Sequence, residues 1–330
     1  DFLGRLRERV LHLIAETAVQ AGDPHRALAA TQTLHTLREQ RHQEHADLAT
    51  RLLGEALQLS ETQAHNEWLR REGDQLQQRL AQEHETLLRT QSVIEQALRH
   101  ADLLREMSLV YQPIVDVRSG RTVAFEALAR WTSPDLGPVS PAVFVPIAER
   151  SGLITGITEV LLVQALSAAK AWPDDVALSF NLSMADITSP QAADGIVTAI
   201  RASGLAPGRV ILEATETALI QDIAQAQRVL TTLRANGVSI ALDDFGTGYS
   251  SLSYVHRLPL DKLKIDRSFT GEITADPACR DIVTSIVGLA SNLKLACVVE
   301  GIETAEQARL LESLGCVLMQ GYHFHRPMGF

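Results

Sequence analysis

The spacing of hydrophobic and polar positions changes near residue 107, and the two sides predict different secondary structure. Before that point, apolar residues recur every three or four positions, which is typical of helices with one apolar face. After it, short apolar runs with strand character alternate with helical segments up to the end of the sequence. The pattern therefore predicts an all-helical region followed by an α/β region.

The helical region begins with a predicted helical hairpin over residues 1–40. Apolar residues at helical spacing fill residues 2–19, and Gly22-Asp23-Pro24 ends this helix. Glycine and proline are poor helix formers, and proline suits the first turn of the helix that follows near His25. This pair of helices resembles a terminal tetratricopeptide repeat, of which the sequence contains about one copy.

Residues 41–105 are rich in Glu, Gln, Arg and Leu and predict one long helical linker of the signalling or coiled-coil type. Apolar residues follow a broken seven-residue rhythm at Leu69, Leu76, Leu80, Leu87 and Ile94. Glu83 and Thr90 interrupt the seam that these residues would form. A helix of this kind dimerises or transmits a signal, and the alternative is a solvated spacer.

Residues 106–330 predict a (β/α) barrel. The expected strands cover residues 109–115, 122–128, 177–182, 210–214, 238–242, 262–265, 295–299 and 316–318. The expected helices cover residues 143–151, 156–171, 190–203, 218–236, 279–292 and 304–314. About seven strands with helical connections in roughly 225 residues favour a closed TIM-like barrel over an open sheet.

Composition and charge narrow the classes of function. The chain has 330 residues, of which 45% are hydrophobic, and a net charge of −10, which argues against a nucleic-acid polymer as partner. No apolar run approaches membrane-spanning length, and no signal peptide is visible. Cys279, Cys297 and Cys316 are odd in number and lack metal-ligand spacing. A cytoplasmic location is therefore expected, because free thiols suit a reducing compartment.

Polar side chains follow most of the predicted strands, at the end of a barrel where reactive groups collect. Asp243 and Asp244 follow a buried apolar run, and we expect them to converge because the strand ends before them. One such residue alone is an ordinary strand end. The residues expected around the mouth of the barrel are Glu126, Asn181, Glu213, Asp243, Asp244, Lys264, Asp266, Glu300 and Gln320.

This set of oxygen donors, which contains no histidine, favours Mg²⁺ or Mn²⁺ over zinc. The carboxylates suffice for two ions that share a bridging aspartate, about 3.5–4 Å apart, and such pairs serve in-line displacement at phosphorus. Lys264 would hold or help to deprotonate the attacking water, or would only neutralise the site. Arg130 suits a phosphate oxygen because its guanidinium is planar and always charged.

Six motifs resemble those of EAL-domain phosphodiesterases, which hydrolyse cyclic di-GMP. The motifs are Glu126-Ala127-Leu128-Ala129-Arg130, Asn181-Leu182-Ser183, Asp243-Asp244-Phe245-Gly246-Thr247-Gly248-Tyr249-Ser250-Ser251-Leu252, Lys264-Ile265-Asp266, Glu300-Gly301-Ile302-Glu303-Thr304 and Gln320-Gly321-Tyr322. The resemblance implies a modified barrel whose first strand is antiparallel to its neighbours. It also implies dependence on Mg²⁺ or Mn²⁺ with two ions per site, inhibition by Ca²⁺, linear pGpG as product, and frequent dimerisation.

The same resemblance assigns roles to individual residues around the metals. Glu126, Asn181, Glu213 and Asp243 would bind the first ion. Asp243 would bridge to a second ion that Asp244 also binds. The catalytic set implied by the resemblance consists of Lys264, which positions the water, with Glu126, Glu300 and Glu303. Glu300 would also contact metal, and Glu303 would brace the loop over residues 245–251, which couples a dimer interface to the metals.

The substrate contacts that the resemblance implies come from residues around the same mouth. They are Gln112, Leu128, Arg130, Asp266 and Gln320, with Leu128 beside a base. The expected partners are cyclic di-GMP and a second copy of the chain, bound through the barrel or the N-terminal helices or both.

Two other hypotheses remain beside an active phosphodiesterase. One is a silent receptor that binds cyclic di-GMP without cutting it, and versions of this kind usually lose a metal-binding acid or the loop glycines. The other is an assembly part in which the helices act and the barrel is idle. All the acids and glycines are present, which favours catalysis.

Overall fold

In the computed structural model, residues 2–246 and 255–329 are described, and the chain divides into two compact units. The first unit extends to Leu87, and the second begins at Leu88. Residues 247–251 of the predicted coupling loop lie outside the described residues. Among those that are described, no helix is long and apolar enough to cross a membrane.

The first unit begins with two helices joined by a tight turn. Helix α1 spans Phe2–Gln20, and α2 spans Pro24–His100. Gly22 adopts a φ of 75° in the turn, and the backbone N–H of Arg26 donates to Asp23 Oδ1 at 3.0 Å. The buried residues of this pair are mostly small, namely Ala18, Ala27, Ala30 and Leu34. The two predicted helices are therefore present here, while the tetratricopeptide resemblance stays a prediction.

After the first turns that pack in this hairpin, α2 exposes many large apolar side chains. Leu69, Leu76, Leu80 and Leu87 of the predicted seam are each exposed by 49–58%. Ile94 and Leu98, near the end of the same helix, are instead buried in the core of the second unit. The seam residues up to Leu87 are thus about half exposed among the described residues, and of the seam only Ile94 reaches the core of the second unit.

The second unit contains nine strands, of which eight form a closed barrel. The strands are β1 Met107–Asp116, β2 Arg121–Ser133, β3 Gly137–Val139, β4 Ala177–Leu182, β5 Val210–Thr215, β6 Ser239–Phe245, β7 Lys262–Ile265, β8 Ala296–Val299 and β9 Leu318–Gln320. β3 is an outer strand beside β2, and pairing of β1 with β2 closes the ring. β1 is antiparallel to both of its neighbours, β2 and β9, while the other pairs within the barrel are parallel. The outer strand β3 pairs with β2 in the antiparallel direction. The predicted barrel with an antiparallel first strand is confirmed.

Helices surround the barrel and enclose the main apolar core with it. They are α3 Leu103–Glu106, α4 Pro141–Arg150, α5 Ile154–Ala169, α6 Met184–Thr188, α7 Pro190–Ser203, α8 Glu216–Gln221, α9 Ile223–Ala235, α10 Pro277–Asn292 and α11 Ala305–Ser313. The helix predicted over residues 218–236 is two helices. Asp222 Oδ1 accepts the backbone N–H of Gln225 at 3.0 Å and starts α9, because aspartate is a favourable N-cap.

Alternation of side chains along each strand separates the inside of the barrel from the outside. On β5, Leu212 and Ala214 belong to the outer core between strands and helices. Ile211 belongs to a small apolar cluster inside the barrel with Ile114, Ala124, Ala241 and Val298. Two residues further along β5, Glu213 therefore also faces the inside, at the opposite end from this cluster.

Three predicted strand ends that affect site residues are wrong. One is that of the last strand, predicted over residues 316–318, because β9 ends at Gln320 and contains it. Glu126 lies within β2, which continues beyond the barrel as a ribbon with β1 up to Trp131. Its pairing with β4 ends at Ala127. Asp243 and Asp244 lie within β6 and do not follow it. The polar residues mislead here because the neighbouring strands, and not local polarity, decide where pairing ends.

Candidate active site

The mouth of the barrel brings together most of the polar residues that the sequence predicts there. Asn181 lies beside Glu213 in the register of β4 and β5, and Glu126 lies beside Ser179 in that of β2 and β4. Asp243 lies beside Thr215, two residues after Glu213. Inward side chains in adjacent strands with this register are close neighbours, so the parallel sheet itself assembles the cluster.

Lys264 is the centre of this cluster and is only 1% exposed. Its Nζ lies 2.5 Å from Glu300, 2.8 Å from Glu213, 3.2 Å from Asp243 and 3.5 Å from Glu126. Burial by itself would lower the pKa of Lys264, but the four carboxylates together raise it well above its usual value. The ammonium therefore stays protonated and serves as a hydrogen-bond donor.

Glu126 is held by two amide groups as well as by the ammonium. Asn181 Nδ2 donates to Glu126 Oε1 at 2.8 Å, and Gln320 Nε2 donates to Glu126 Oε2 at 2.6 Å. Burial would raise the pKa of Glu126, but the Lys264 charge and these hydrogen bonds lower it below its ordinary value. The Glu126 carboxylate is therefore ionised and fixed in orientation.

The other carboxylates of the mouth are less well compensated. Burial raises the pKa of Glu213 well above its ordinary value, despite the opposing effect of Lys264. Burial also raises the pKa of Glu300 to about 8, and burial together with the Asp243 charge raises that of Asp244 to about 6. The site thus contains more carboxyl groups than one ammonium keeps ionised.

A local distortion of β6 brings both aspartates to the mouth. Asp244 adopts a φ of 55°, and the pairing of β6 with β7 shifts between Leu242 and Phe245. The backbone N–H of Asp244 donates to Asp243 Oδ1 at 3.0 Å. Both carboxylates line one cavity, although successive side chains of a regular strand point to opposite faces. Their predicted convergence thus arises from a kink within the strand.

The sequence analysis missed two buried polar residues, one of which supports an acid of the site. Ser179 Oγ donates to Glu213 Oε1 at 2.6 Å, and Ser179 is fully buried. Glu216 is 1% exposed, and the backbone N–H of Gly246 donates to its Oε2 at 3.3 Å. Ser179 lies two residues before Asn181 on the same strand, so both side chains face the inside of the barrel. This spacing is a signal in the sequence that could have identified Ser179.

Two cavities open beside the cluster, and Leu128 lines both. One, of about 500 Å³, is lined by Gln112, Glu126, Glu300, Glu303 and Gln320, and also by Arg267 and Tyr322. The other, of about 450 Å³, is lined by Arg130, Asn181, Asp243 and Asp244. The predicted substrate-contacting residues Gln112, Leu128, Arg130 and Gln320 thus each line at least one of these cavities.

Of the two predicted site residues that remain, only one lines a cavity. Asp266 lines neither cavity; its Oδ1 accepts the backbone N–H of Ser268 at 2.9 Å and caps the turn Arg267–Phe269. Glu303 lines the larger cavity. Its role as a brace of residues 245–251 stays a prediction, because most of that loop lies outside the described residues, and the described Gly246 contacts Glu216.

By its chemistry, the donor set at the mouth fits a hard divalent cation. It consists of carboxyl groups and one amide, and such a cation would help the ammonium to keep the carboxyl groups ionised. Within residues 2–246 and 255–329, no three His, Cys, Asp or Glu side chains already surround a common metal position. The carboxylates turn instead towards Lys264, whose ammonium occupies the centre of the cluster.

Residues 95–327 match the EAL domain family. The chain is 40% identical over 235 residues to the bifunctional diguanylate cyclase/cyclic di-GMP phosphodiesterase MucR of Pseudomonas aeruginosa, a match that covers 70% of this chain and 34% of that protein. The chain spans about a third of the length of the first curated relatives that it matches.

Two solved structures are similar to the same region. The PaMucR phosphodiesterase in complex with c-di-GMP has a TM-score of 0.67 and 40% identity, covering 71% of this chain and 97% of that one. The manganese/cy-diGMP complex of Klebsiella pneumoniae BlrP1 has a TM-score of 0.61 and 33% identity, covering 68% of this chain and 56% of that one.

Proposed function

The chain belongs to the EAL domain family, and we propose that its residues 106–330 hydrolyse cyclic di-GMP to linear pGpG. One observation carries this proposal. Oxygens of Glu126, Glu213 and Asp243 all lie within 3.5 Å of Lys264 Nζ, and Asn181 is hydrogen-bonded to Glu126. The substrate named for the relatives, together with two cavities that share Leu128 as a lining residue, supports a dinucleotide ligand.

The proposed cofactors are two Mg²⁺ or Mn²⁺ ions per site, with Ca²⁺ as an inhibitor. Glu126, Asn181, Glu213 and Asp243 would bind the first ion, while Asp243 and Asp244 would bind the second. Glu300 lies next to this set through Lys264. When bound, the ions would lower the pKa of the attacking water and neutralise charge at the phosphate.

The protein's own groups would orient the reactants. Lys264 would donate a hydrogen bond to the attacking water and hold it in line. Arg130 lines the cavity next to Asp243, where its guanidinium can contact a phosphate oxygen. Gln112 and Gln320 would contact the substrate from the other cavity, and Leu128 would lie beside a base.

The direct test uses the full chain with cyclic di-GMP and Mn²⁺, with pGpG measured by ion-exchange chromatography. We expect product formation that EDTA abolishes. Glu126→Ala should lose hydrolysis and keep its circular dichroism spectrum, while the exposed Glu159→Ala should behave as wild type. Retained binding of cyclic di-GMP without product would favour the silent receptor, and absence of both would favour the assembly hypothesis.

We further propose a homodimer in which the exposed seam of α2 contacts a second copy, with or without contacts between barrels. Leu59, Asn66, Leu80 and Leu87 lie on one seven-residue repeat. Asparagine at one such position favours two chains in register. Leu80→Cys should therefore give an oxidised, disulfide-linked dimer, whereas Gln78→Cys on another side of the helix should not. Equal cross-linking of both variants would contradict this interface.

The proposed organisation is a hairpin at residues 1–40, a linker at residues 41–105 and the catalytic barrel, with the helices regulating turnover. Because Ile94 and Leu98 belong to the core of the second unit, the test removes residues 2–87 and leaves them in place. We expect a changed oligomeric state by light scattering or a changed turnover. If both stay the same, the helices are a passive spacer.

We also propose a cytoplasmic location, on the basis of the three free cysteines. Burial raises the pKa of the Cys297 thiol to about 12, and that of Cys316 to about 12 as well. Thiols with such values stay protonated and form disulfides slowly. Fractionation of the producing cells, followed by thiol alkylation of the protein, would check both location and redox state.

A further inference from the structure

Gln307 lies at the third position of α11, outside every set of residues considered so far for the reaction. It is only 6% exposed, although glutamine on the first turn of a helix usually faces solvent. Its side chain is directed between two loops. One follows β7 and contains residues 267–271, and the other follows β8 and contains residues 300–304.

Both ends of the Gln307 amide are fully used. Its Oε1 accepts the backbone N–H groups of Glu303 and Thr304, each at 2.9 Å. Its Nε2 donates to the backbone oxygens of Thr270 at 3.1 Å and Gly271 at 3.3 Å. An amide has two acceptor and two donor sites, so this side chain joins the two loops with its whole hydrogen-bonding capacity.

A second link continues from Thr270 to the active site. Thr270 is fully buried, and its Oγ1 donates to the backbone oxygen of Glu300 at 2.8 Å. The Glu300 carboxylate in turn lies 2.5 Å from Lys264 Nζ. The contacts therefore form a chain from Gln307 through Thr270 and the Glu300 backbone to the ammonium at the centre of the mouth.

The two loops are also packed without spare room. Gly301 has a φ of 71°, and a Cβ atom at this position would lie 2.3 Å from Arg267 Cβ. A movement of either loop would consequently displace the other. Both loops line the larger cavity through Arg267, Glu300 and Glu303, so their relative position sets one wall of the substrate region.

The simple alternative is that Gln307 only starts its helix. Thr304 and Gln307 do form a capping box, in which Thr304 Oγ1 accepts the backbone N–H of Gln307 at 3.2 Å. However, that role uses Oε1 alone. The two Nε2 hydrogen bonds to Thr270 and Gly271 add nothing to the cap, and they are the contacts that reach towards the site.

We propose that Gln307 is a positioning residue that holds Glu300 against Lys264 by tying the loop after β7 to the loop after β8. The inference rests on the proposed phosphodiesterase function. Displacement of reacting groups by about 1 Å costs up to about a hundredfold in rate, so a tie of this kind affects turnover without contacting the substrate.

The test separates the two ends of the amide. Gln307→Glu keeps an acceptor at Oε1 and remains a good capping-box residue, but it loses the two Nε2 donors. Thr304→Ala weakens the cap and keeps those donors. We expect Gln307→Glu to lower kcat about tenfold with KM within about twofold. It should also lower Tm, because the new carboxylate oxygen faces the backbone oxygens of Thr270 and Gly271 in a buried position. Thr304→Ala should lower Tm and leave kcat within about twofold of wild type.

A second variant and a second measurement keep the inference testable. Thr270→Val removes the Oγ1 donor with little change in shape, and combined with Gln307→Glu it should cost no more than either change alone, because both break one link. Hydrogen exchange at residues 268–271 and 300–302 should be faster in Gln307→Glu than in Thr304→Ala.

A wild-type kcat and wild-type exchange in Gln307→Glu would overturn the inference. So would a fall in kcat that follows Tm equally in both single variants. If the wild-type chain forms no pGpG, the proposed function fails instead, and the exchange measurement still decides whether Gln307 ties the loops.

Discussion

The mouth of the barrel and its floor, which is the small apolar cluster around Ile211, are built by the same strands. Along each strand, the residue at the mouth and the residue at the floor are only two positions apart. On β5, Glu213 faces the mouth and Ile211 the floor, and on β6 Asp243 follows Ala241 by the same step. The same interval separates mouth from floor in Glu126 and Ala124, Glu300 and Val298, and Gln320 and Leu318. The strands are shared, so the two ends differ in their side-chain chemistry and in the local distortion of β6 at the mouth.

The two ends also make opposite contributions to stability. The floor removes apolar side chains from water, which stabilises the fold. The mouth buries carboxylates, whose desolvation is costly unless they are paired. The raised pKa values of Glu213 and Glu300 record this cost. We therefore expect substitutions at the floor to change stability and leave activity unchanged. Substitutions at the mouth should abolish or lower activity, whatever their effect on stability.

Lys264→Met should have the largest effect, because it removes the ammonium that four carboxylates share. Without metal, we expect a loss of about 3–5 kcal/mol in the free energy of unfolding, measured with urea in EDTA. Formation of pGpG should be abolished. Saturating Mn²⁺ should restore part of the stability, since the ions would balance the same carboxylates.

The matched control for this comparison is Lys262→Met, two residues earlier on the same strand. Lys262 lines a cavity that the floor residues also line. Burial lowers the pKa of Lys262, and the charges of Asp261 and Glu213 partly oppose this effect. We expect its replacement to change the free energy of unfolding by about 0.5 kcal/mol or less and kcat by less than about twofold. Similar losses for both lysines would contradict the difference between mouth and floor.

Ile211→Ala should lower stability and leave activity unchanged. Ile211 is 5% exposed in the floor cluster, and its truncation should cost about 2–5 kcal/mol of unfolding free energy. The kcat of the folded fraction should stay near wild type. Glu213→Gln on the same strand should abolish turnover with a smaller change in urea midpoint. If Ile211→Ala instead lowers kcat at full folding, the floor is not inert.

Ser179→Ala should have the smallest effect of these three substitutions. It tests whether the hydrogen bond from Ser179 helps Glu213 to bind metal. Loss of the hydrogen bond to Glu213 should weaken Mn²⁺ binding by about ten- to a hundredfold in calorimetric titration. The unfolding free energy should fall by about 1 kcal/mol. Ala177→Ser, two residues towards the floor, is the control. Wild-type affinity in Ser179→Ala would show that Glu213 needs no such support.

Much of the fold follows from local patterns. The bounds predicted for Ala177–Leu182, Pro190–Ser203 and Lys262–Ile265 agree with the structure. Each has strong local signals: an alternating or apolar run for the strands, and Ser189 with Pro190 at the start of the helix, where Ser189 Oγ accepts the backbone N–H of Ala192. Such signals act within a few residues and do not need the rest of the chain.

The details of the site depended on contacts between distant segments. The continuation of β2 past Glu126 depends on β1, and the distortion at Asp244 accompanies a shift in pairing with β7. Ser179 and Gln307 acquire their roles from partners 34 and 37 residues away in the chain. A single sequence contains no local signal for these pairings.

By itself, the sequence determined which residue types follow each buried run and therefore that oxygen donors collect at one end of a barrel. Only the tertiary structure decided that one ammonium would lie within 3.5 Å of four carboxylates, and that two adjacent aspartates would face one cavity. The physical reason is that the period of a strand decides the face on which a side chain lies. Distances across the barrel depend instead on register and closure, which exist only once all eight strands have paired.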